Sequence, residues 1–216
     1  MFERFTNRDE AGRALGKEVA RHIGKRADAI VLALPRGGVP VGHAVAQAID
    51  APLDVFIVRK LGVPGHEELA MGAIASGGVR VLNEDVLAQL PMPARVIDAV
   101  AQREQTELER RERAYRGNRP PLDVTNRTVI VVDDGLATGS TMRAAVQALK
   151  KMNPRAVIVA VPVAAYDTCE ILRREADDVI CLHTPEPFRA VGLWYDDFTQ
   201  TTDEEVHELL GEGVAR

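Results

Sequence analysis

Short runs of β-branched and other apolar residues alternate along the chain with longer stretches in which apolar positions recur every three or four residues. The short runs are typical of strands buried on both faces of a parallel sheet, and the longer stretches are typical of helices that cover such a sheet. Strands are predicted at residues 29–34, 53–58, 128–132, 156–162 and 178–182. Helices are predicted at residues 9–24, 39–49, 140–152 and 167–175. This order predicts an α/β fold in which helices flank a parallel sheet.

The alternation is interrupted between residues 59 and 126, which we interpret as an insertion. Residues 71–75 and 79–82 flank a glycine-containing turn and predict a β-hairpin. Residues 93–116 predict a long charged helix with an apolar stripe at Ile97, Val100, Leu108 and Tyr115. Ion pairs four residues apart are predicted at Glu107/Arg111, Glu109/Arg113 and Glu112/Arg116. We favour a solvated surface helix, and the alternative is a mobile insertion that closes over a reacting centre.

The composition fits one soluble domain spanning residues 1–216, with 46% hydrophobic and 27% charged residues. A net charge of −5 argues against a general nucleic-acid binder, and no apolar stretch is long enough to cross a membrane. The two cysteines, Cys169 and Cys181, lack the spacing of metal ligands and are predicted to be core residues. A cytoplasmic protein without a nucleic-acid or membrane partner is therefore expected.

The apolar run at residues 128–132 ends in two carboxylates, Asp133 and Asp134, which are followed by a loop rich in glycine and hydroxyl side chains. The loop consists of Gly135, Leu136, Ala137, Thr138, Gly139, Ser140 and Thr141. Its amides lie at the start of a predicted helix, where a phosphate dianion binds well. Carboxylates repel phosphate, so vicinal hydroxyls or a hydrated Mg²⁺ are their expected partners. Together these residues predict a site for a ribose 5-phosphate.

Two other phosphate motifs are excluded here, because no Lys precedes Ser140 or Thr141 as in a Walker loop, and no GxGxxG opens the helix. A capped turn after a buried strand is the alternative without a ligand. The segment resembles the signature of the type I phosphoribosyltransferases, in which two acidic residues hold the ribose hydroxyls and the loop holds the 5-phosphate. The resemblance implies a Rossmann-like fold, phosphoribosyl pyrophosphate as donor, and Mg²⁺ near Asp133 and Asp134.

A second glycine turn, Arg36-Gly37-Gly38, follows the first predicted strand and precedes a helix. Two glycines allow consecutive amides to converge on an anion, and the guanidinium of Arg36 adds positive charge. Carboxyl ends of strands in open α/β sheets are where ligands bind. The resemblance implies that this is the pyrophosphate loop, which in the family often contains a non-proline cis peptide bond, here expected at Arg36–Gly37.

A basic pair, Arg59-Lys60, ends the second predicted strand. Phosphoribosyl pyrophosphate carries several negative charges, so a partly dry site for it requires cations. The pair resembles the one that faces the pyrophosphate in adenine phosphoribosyltransferases. The alternative for Arg59 and Lys60 is that they are solvated residues leaving a strand.

Residues 185–198 contain four aromatic side chains, although aromatic residues form only 4% of the chain. The segment resembles the hood of the hypoxanthine-guanine phosphoribosyltransferases, which implies a small C-terminal hood over residues 183–201. By that resemblance Phe188 stacks on the acceptor and Asp196 is a metal ligand. Sealing of the core or of a dimer interface is the alternative for Trp194 and Tyr195.

The resemblance implies transfer of ribose 5-phosphate to a nitrogen acceptor, expected to be a nucleobase in nucleotide salvage, by Asp133, Asp134 and Arg36. It covers nearly the whole chain and is strongest for stand-alone bacterial phosphoribosyltransferases whose acceptor is undetermined. Ala137 stands where 6-oxopurine enzymes carry an Asp that handles the base proton, so the acceptor stays open. A regulatory protein that binds phosphoribosyl pyrophosphate or a nucleotide without catalysis is the alternative function. A homodimer is expected, because dimers are common in the family.

Overall fold

A computed structural model describes residues 4–212 of the chain. Its strands in chain order are β1 (Ala29–Ala33), β2 (Leu53–Val55), β3 (Val58–Val63), β4 (His66–Ala75), β5 (Val79–Leu82), β6 (Thr128–Val132), β7 (Ala156–Val163) and β8 (Asp178–His183). Its helices are α1 (Arg8–Ile23), α2 (Gly38–Ile49), α3 (Glu84–Gln89), α4 (Ala94–Arg116), α5 (Ser140–Lys150), α6 (Tyr166–Glu175) and α7 (Asp203–Glu212), with a 3₁₀ turn at Val191–Trp194. The sequence pattern did not predict α3 or α7.

The central sheet is parallel and has the strand order β2-β1-β6-β7-β8. Every residue of β6 is buried, and alternate side chains enter two different cores. Ile130 and Val132 pack with α1 and α2, whereas Val129 and Val131 pack with α5 and α6. The predicted α/β architecture is therefore confirmed, and β6 delivers its carboxyl end to the middle of the sheet.

The predicted strand at residues 53–58 is wrong, because β2 ends at Val55 and β3 begins at Val58 in a different sheet. Phe56 and Ile57 cross between the two sheets and are buried in separate cores. The Ser76 hydroxyl accepts a hydrogen bond from the Ile57 amide at 3.0 Å, and the Ser76 amide donates to the Ile57 carbonyl at 2.9 Å. Both bonds involve Ser76, which is distant from Ile57 in sequence. The continuous apolar run at residues 53–58 therefore contains no local signal that the chain passes from one sheet to the other.

The insertion contains the predicted hairpin, β4 and β5, which β3 extends to an antiparallel sheet of order β3-β4-β5. Helix α4 covers this sheet, and its predicted apolar stripe is buried. The charged face of α4 carries the surface pairs Glu107–Arg111 at 2.7 Å and Glu109–Arg113 at 4.0 Å. The insertion is thus anchored through one face of its long helix.

The predicted pair Glu112–Arg116 is wrong. Arg116 instead donates to both carboxylate oxygens of Asp54 at 3.0–3.2 Å, and these two side chains are 10% and 12% exposed. Asp54 belongs to β2, so this ion pair ties the end of the insertion helix to the central sheet. Arg116 therefore pairs with a buried acid distant in sequence, Asp54, and not with the surface acid one helical turn away, Glu112.

Both cysteines are free thiols, with Cys169 buried and Cys181 half-buried, as expected for core residues. Within residues 4–212, no helix combines the length and the apolar character that a membrane span requires.

Candidate functional site

The acidic pair lies at the carboxyl end of β6, between the ends of β1 and β7. The Asp133 carboxylate accepts a hydrogen bond from the Asp134 amide at 2.9 Å, which turns the chain directly after the strand. Burial raises the pKa of Asp133 well above its usual range, and the nearby Asp134 carboxylate raises it further. Burial also raises the pKa of Asp134, but a neighbouring guanidinium opposes that shift. The pair therefore lies in a place where a further cation would be stabilising.

The guanidinium belongs to Arg8, a residue of the first helix that the sequence analysis missed. Its Nε donates to Oδ2 of Asp134 at 2.8 Å, and its Nη1 donates to the carbonyl of Thr199 at 2.7 Å. The same guanidinium lies 3.9 Å above the ring of Phe198. A signal existed, since a cation in the first turn of a helix is disfavoured by the helix dipole and calls for a specific partner.

The loop after the acidic pair forms a cleft of about 240 Å³, lined by Asp133, residues 135–142 and Val191. Gly139 has φ +66°, and a Cβ atom there would lie 2.5 Å from Cγ2 of Thr168. The Thr168 hydroxyl donates to the Ala137 carbonyl at 2.6 Å, which fixes the loop against α6. No side chain caps the first turn of α5, so its amides are available to an anion. The structure thus brings all seven predicted loop residues together around one cleft.

The second glycine turn packs directly against the acidic pair. A Cβ atom on Gly37 would lie 2.1 Å from Oδ2 of Asp134, and one on Gly38 would lie 2.8 Å from the carbonyl oxygen of Val132. The non-proline cis peptide bond is Pro35–Arg36, so the expectation of a cis bond at Arg36–Gly37 is wrong by one position. Because only glycine allows this approach, the second glycine turn and the acidic pair lie in one site.

The side chain of Arg36 is half-buried and reaches an acid that the sequence analysis did not single out. Its Nη1 lies 3.5 Å from Oδ1 of Asp203, the first residue of α7. The hydroxyl of Tyr115 donates to the same oxygen at 2.7 Å, and burial raises the pKa of Tyr115 to about 12. The charge of Arg36 is therefore shared with a surface carboxylate that an anionic ligand could replace.

Arg59 and Lys60 point to opposite sides of β3. The guanidinium of Arg59 donates to Oε2 of Glu104 in α4 at 3.0 and 2.6 Å. Lys60 lines a second cleft of about 410 Å³, to which Ser140 of the loop after the acidic pair also contributes. Lys60 therefore lies on the side of the loop, whereas Arg59 takes part in the packing of α4. The assignment of both to pyrophosphate stays a prediction.

The predicted hood meets the loop through its main chain and aromatic side chains. The Tyr195 hydroxyl donates to the carbonyl of Asp134 at 2.5 Å, so this buried aromatic residue supports the site. The rings of Phe188 and Trp194 are stacked, with centroids 6.3 Å apart and an angle of 24° between their planes. Phe188 also lines a cleft of about 560 Å³ between the hood and the start of α6.

Asp196 is exposed, and its amide donates to the carbonyl of Phe5 at 2.9 Å. Within residues 4–212, no group of three or more His, Cys, Asp or Glu side chains is arranged to hold a metal ion. The structure therefore does not gather Asp133, Asp134 and Asp196 into a closed metal site. The assignment of Asp196 to a metal stays a prediction.

Comparison with known proteins gives three informative similarities. The provisionally named phosphoribosyl transferase Rv0571c of Mycobacterium tuberculosis is 46% identical over 206 residues, which are 95% of this chain and 46% of that protein. The chain thus spans about half the length of this curated relative. The bifunctional protein PyrR of Chloroflexus aurantiacus is 30% identical over 116 residues, or 53% of this chain and 58% of that protein. The crystal structure of TT1426 from Thermus thermophilus has a TM-score of 0.87 and 41% identity, with 97% of this chain and 98% of that chain covered.

A family model described as the phosphoribosyl transferase domain matches residues 64–196, more than half of the chain. The match includes the acidic pair, the loop of residues 135–141 and most of the predicted hood. Two further parts of the site come before residue 64. Arg8 donates a hydrogen bond to Asp134, and Gly37 of the second glycine turn packs against the same carboxylate. Because the matched segment carries the site and the fold agrees with it, the chain belongs to the phosphoribosyl transferase domain family.

Proposed function

We propose that this protein transfers ribose 5-phosphate from phosphoribosyl pyrophosphate to a nitrogen acceptor and releases pyrophosphate. The observation that carries the proposal is that the loop of residues 135–142, the acidic pair and the second glycine turn lie together at one edge of the central sheet. The cleft of residues 135–142 suits a phosphate, Asp133 borders that cleft, and Gly37 of the second loop lies against Asp134. A donor with a phosphate at one end, hydroxyls in the middle and a diphosphate at the other end matches this order.

The reaction replaces the bond from the anomeric carbon to pyrophosphate by a bond to nitrogen, through a transition state with oxocarbenium character. Pyrophosphate is a good leaving group, so the protein needs to position the donor and exclude water rather than supply a nucleophile. The amides at the start of α5 hold the 5-phosphate, and Asp133 and Asp134 orient the ribose hydroxyls. Arg36 exchanges Asp203 for the leaving pyrophosphate.

The acidic pair also fits a divalent cation, because the two neighbouring carboxylates are only partly exposed and the ion pair from Arg8 reaches Asp134 alone. We propose that Asp133 and Asp134 would hold Mg²⁺, which would supply positive charge against the anionic donor. Arg8 keeps the Asp134 carboxylate in place beside Gly37 while the donor enters.

The test measures pyrophosphate released from phosphoribosyl pyrophosphate and Mg²⁺ in the presence of a panel of nucleobases and amines. We expect turnover with at least one acceptor, and loss of donor binding in a variant that carries both Asp133→Asn and Asp134→Asn. Asp178→Asn is a matched control, because this acid pairs with His22 at the surface. Unchanged donor binding in the double variant would overturn the ribose assignment.

A regulatory protein without catalysis is a second candidate, because Ala137 leaves the phosphate loop without an acid to handle the base proton. Tight donor binding without turnover on any acceptor would favour this candidate over the transferase. The two functions are therefore separated by the same experiment.

A further inference from the structure

The last helix, α7, is packed firmly against the body of the protein. Val206 and Leu210 are buried in the core that also contains α2 and the apolar stripe of α4. Arg119, which follows α4, donates from Nη2 to the carbonyl of Leu210. The first residue of α7, Asp203, therefore has a defined position relative to α4 and to the second glycine turn.

One carboxylate oxygen of Asp203 faces two side chains. The hydroxyl of Tyr115 donates to Oδ1 at 2.7 Å, and Nη1 of Arg36 lies 3.5 Å from the same atom. The first distance is typical of a hydrogen bond between oxygens, whereas the second is at the outer limit for a hydrogen bond. The carboxylate is therefore held mainly by Tyr115 and lies beside Arg36 as a loosely bound counter-ion.

Tyr115 is able to fix this carboxylate because its own side chain is packed. It ends the buried stripe of α4, is only 9% exposed, and has its ring 6.2 Å from the ring of His207 in α7. The hydrogen bond from Tyr115 is the main cause that lowers the pKa of Asp203, and Arg36 lowers it further. Asp203 therefore faces Arg36 as a charged carboxylate.

This negative charge opposes the binding of a second anion to Arg36. A diphosphate that pairs with the guanidinium must displace Asp203, but Tyr115 and the packing of α7 keep the displaced carboxylate nearby. Two anions then share one cation and repel each other. Asp203 is 56% exposed and Arg36 is 33% exposed, so solvent limits the effect to about threefold to fivefold in affinity, the upper range for an exposed ion pair.

We propose that Asp203 and Tyr115 control the release of pyrophosphate: Asp203 competes with the diphosphate for Arg36, and Tyr115 positions Asp203 for that competition. This role rests on the proposed transferase function and adds the residues that set the affinity for one product. The diphosphate of the donor meets the same competitor, whereas a phosphate at the start of α5 does not. Asp203 therefore weakens the binding of ligands with a diphosphate and leaves ribose 5-phosphate unaffected.

Calorimetric titration of the full chain with inorganic pyrophosphate and with ribose 5-phosphate, both with Mg²⁺, tests the competition. Asp203→Asn keeps the size of the side chain and removes its charge, so pyrophosphate should bind about threefold to fivefold more tightly. Binding of ribose 5-phosphate should be unchanged. Damage to the fold would weaken both ligands and would not give a selective gain. Unchanged or weaker binding of pyrophosphate, or an equal gain for both ligands, would overturn the inference.

Tyr115→Phe removes only the hydroxyl and tests the positioning role. It keeps the charge of Asp203 but frees the carboxylate, so the gain in pyrophosphate affinity should be smaller than with Asp203→Asn. Absence of a gain would refute the role of Tyr115. Glu204→Gln is the matched control, because Glu204 is an exposed acid in the same turn of α7 and its change should leave both affinities intact. A comparable gain with Glu204→Gln would attribute the effect to overall charge and overturn the inference.

The dependence on Arg36 is tested by combining Asp203→Asn with Arg36→Ala. Arg36→Ala alone should weaken pyrophosphate binding. In its presence Asp203→Asn should have no further effect, because the cation for which the carboxylate competes is gone. A gain from Asp203→Asn that persists without Arg36 would contradict the proposed competition.

Turnover gives a readout that a purely structural role of Asp203 would not produce. With a reactive acceptor, Asp203→Asn should lower the KM for phosphoribosyl pyrophosphate without raising kcat, since the product leaves more slowly. A raised kcat would argue against a role in release. Donor binding by the natural chain without the selective gain in Asp203→Asn would refute only the role of Asp203. Absence of donor binding would refute the transferase itself.

Discussion

Replacing Gly37 with alanine should break the ion pair between Arg8 and Asp134. A Cβ atom on Gly37 would lie 2.1 Å from Oδ2 and 2.8 Å from Cγ of Asp134, whereas ordinary contact begins at 3.4 Å. The φ and ψ angles of Gly37 are −58° and −32°, which alanine adopts without strain. The carboxylate of Asp134 must therefore move by more than about 1 Å to reach ordinary contact.

The displaced oxygen, Oδ2 of Asp134, is the one that accepts the bond from Arg8 at 2.8 Å. The side chains of Arg8 and Asp134 are only 11% and 14% exposed, so water replaces the lost partner poorly. Separating a largely buried pair costs about 3 kcal/mol. In a chain of 216 residues this corresponds to a fall in Tm of roughly 6–12 °C.

Urea unfolding of four proteins tests this account: the natural chain, Gly37→Ala, Asp134→Ala and the double variant. Without the Asp134 carboxylate, the nearest heavy atom to the new Cβ is Nε of Arg8 at 3.4 Å. Gly37→Ala should then cost less than about 1 kcal/mol, the remaining penalty of alanine at a helix N-cap. Gly211→Ala is the control, because nothing lies within 4 Å of its Cβ position. Equal destabilisation by Gly37→Ala with and without Asp134 would refute the reasoning.

Three further predictions concern pH, the insertion helix and the metal. Asp133→Asn should stabilise the folded protein relative to the natural chain, increasingly so as pH rises above about 4. Burial raises the pKa of Asp133 in the folded state, so the unfolded chain releases this proton at a lower pH than the folded protein does. Parallel curves of Tm against pH for the two proteins would contradict this. Arg116→Ala should cost about 2 kcal/mol in urea unfolding, because its partner Asp54 is buried and would keep only Arg119, at 3.6 Å. Arg113→Ala at the surface should cost less than about 0.5 kcal/mol, and similar losses in the two variants would argue against the effect of burial. Chelation with EDTA should weaken binding of phosphoribosyl pyrophosphate at least about tenfold and added Mg²⁺ should restore it, whereas unaffected binding would remove the metal from the site.

The parts of the site that lie close together in sequence were predictable. A buried strand, two acids and a glycine-hydroxyl loop occupy adjacent positions, and their order is itself the structural order at the end of β6. The glycines at positions 37 and 38 were predictable for the same reason. Their contact with Asp133 and Asp134 follows from the adjacency of β1 and β6.

The parts that depend on long-range packing were not predictable. The apolar run through Phe56 and Ile57 looks continuous, and only the distant Ser76 shows that the chain changes sheets there. Arg59 and Lys60 look equivalent as neighbours, but successive strand residues face opposite sides, and Glu104 of α4 decides which side each one meets. The place of Arg8 in the first turn of a helix indicates that it needs a partner, but that partner, Asp134, lies 126 residues away and could be identified only from the packing of α1.

The contacts of Arg8 span most of the polypeptide, since its two partners lie 126 and 191 residues further along the chain. A ribosome releases the first helix and the phosphate loop before it has made Thr199, the more distant of those partners. Tyr195, which holds the main chain of Asp134, also emerges late. A growing chain therefore displays the complete acidic pair and the loop of residues 135–141 before the contacts that hold them exist. Removal of the residues from 195 onward would likewise leave the acidic pair and its loop in the chain, but it would remove the contacts that Tyr195 and Thr199 make with Asp134 and Arg8.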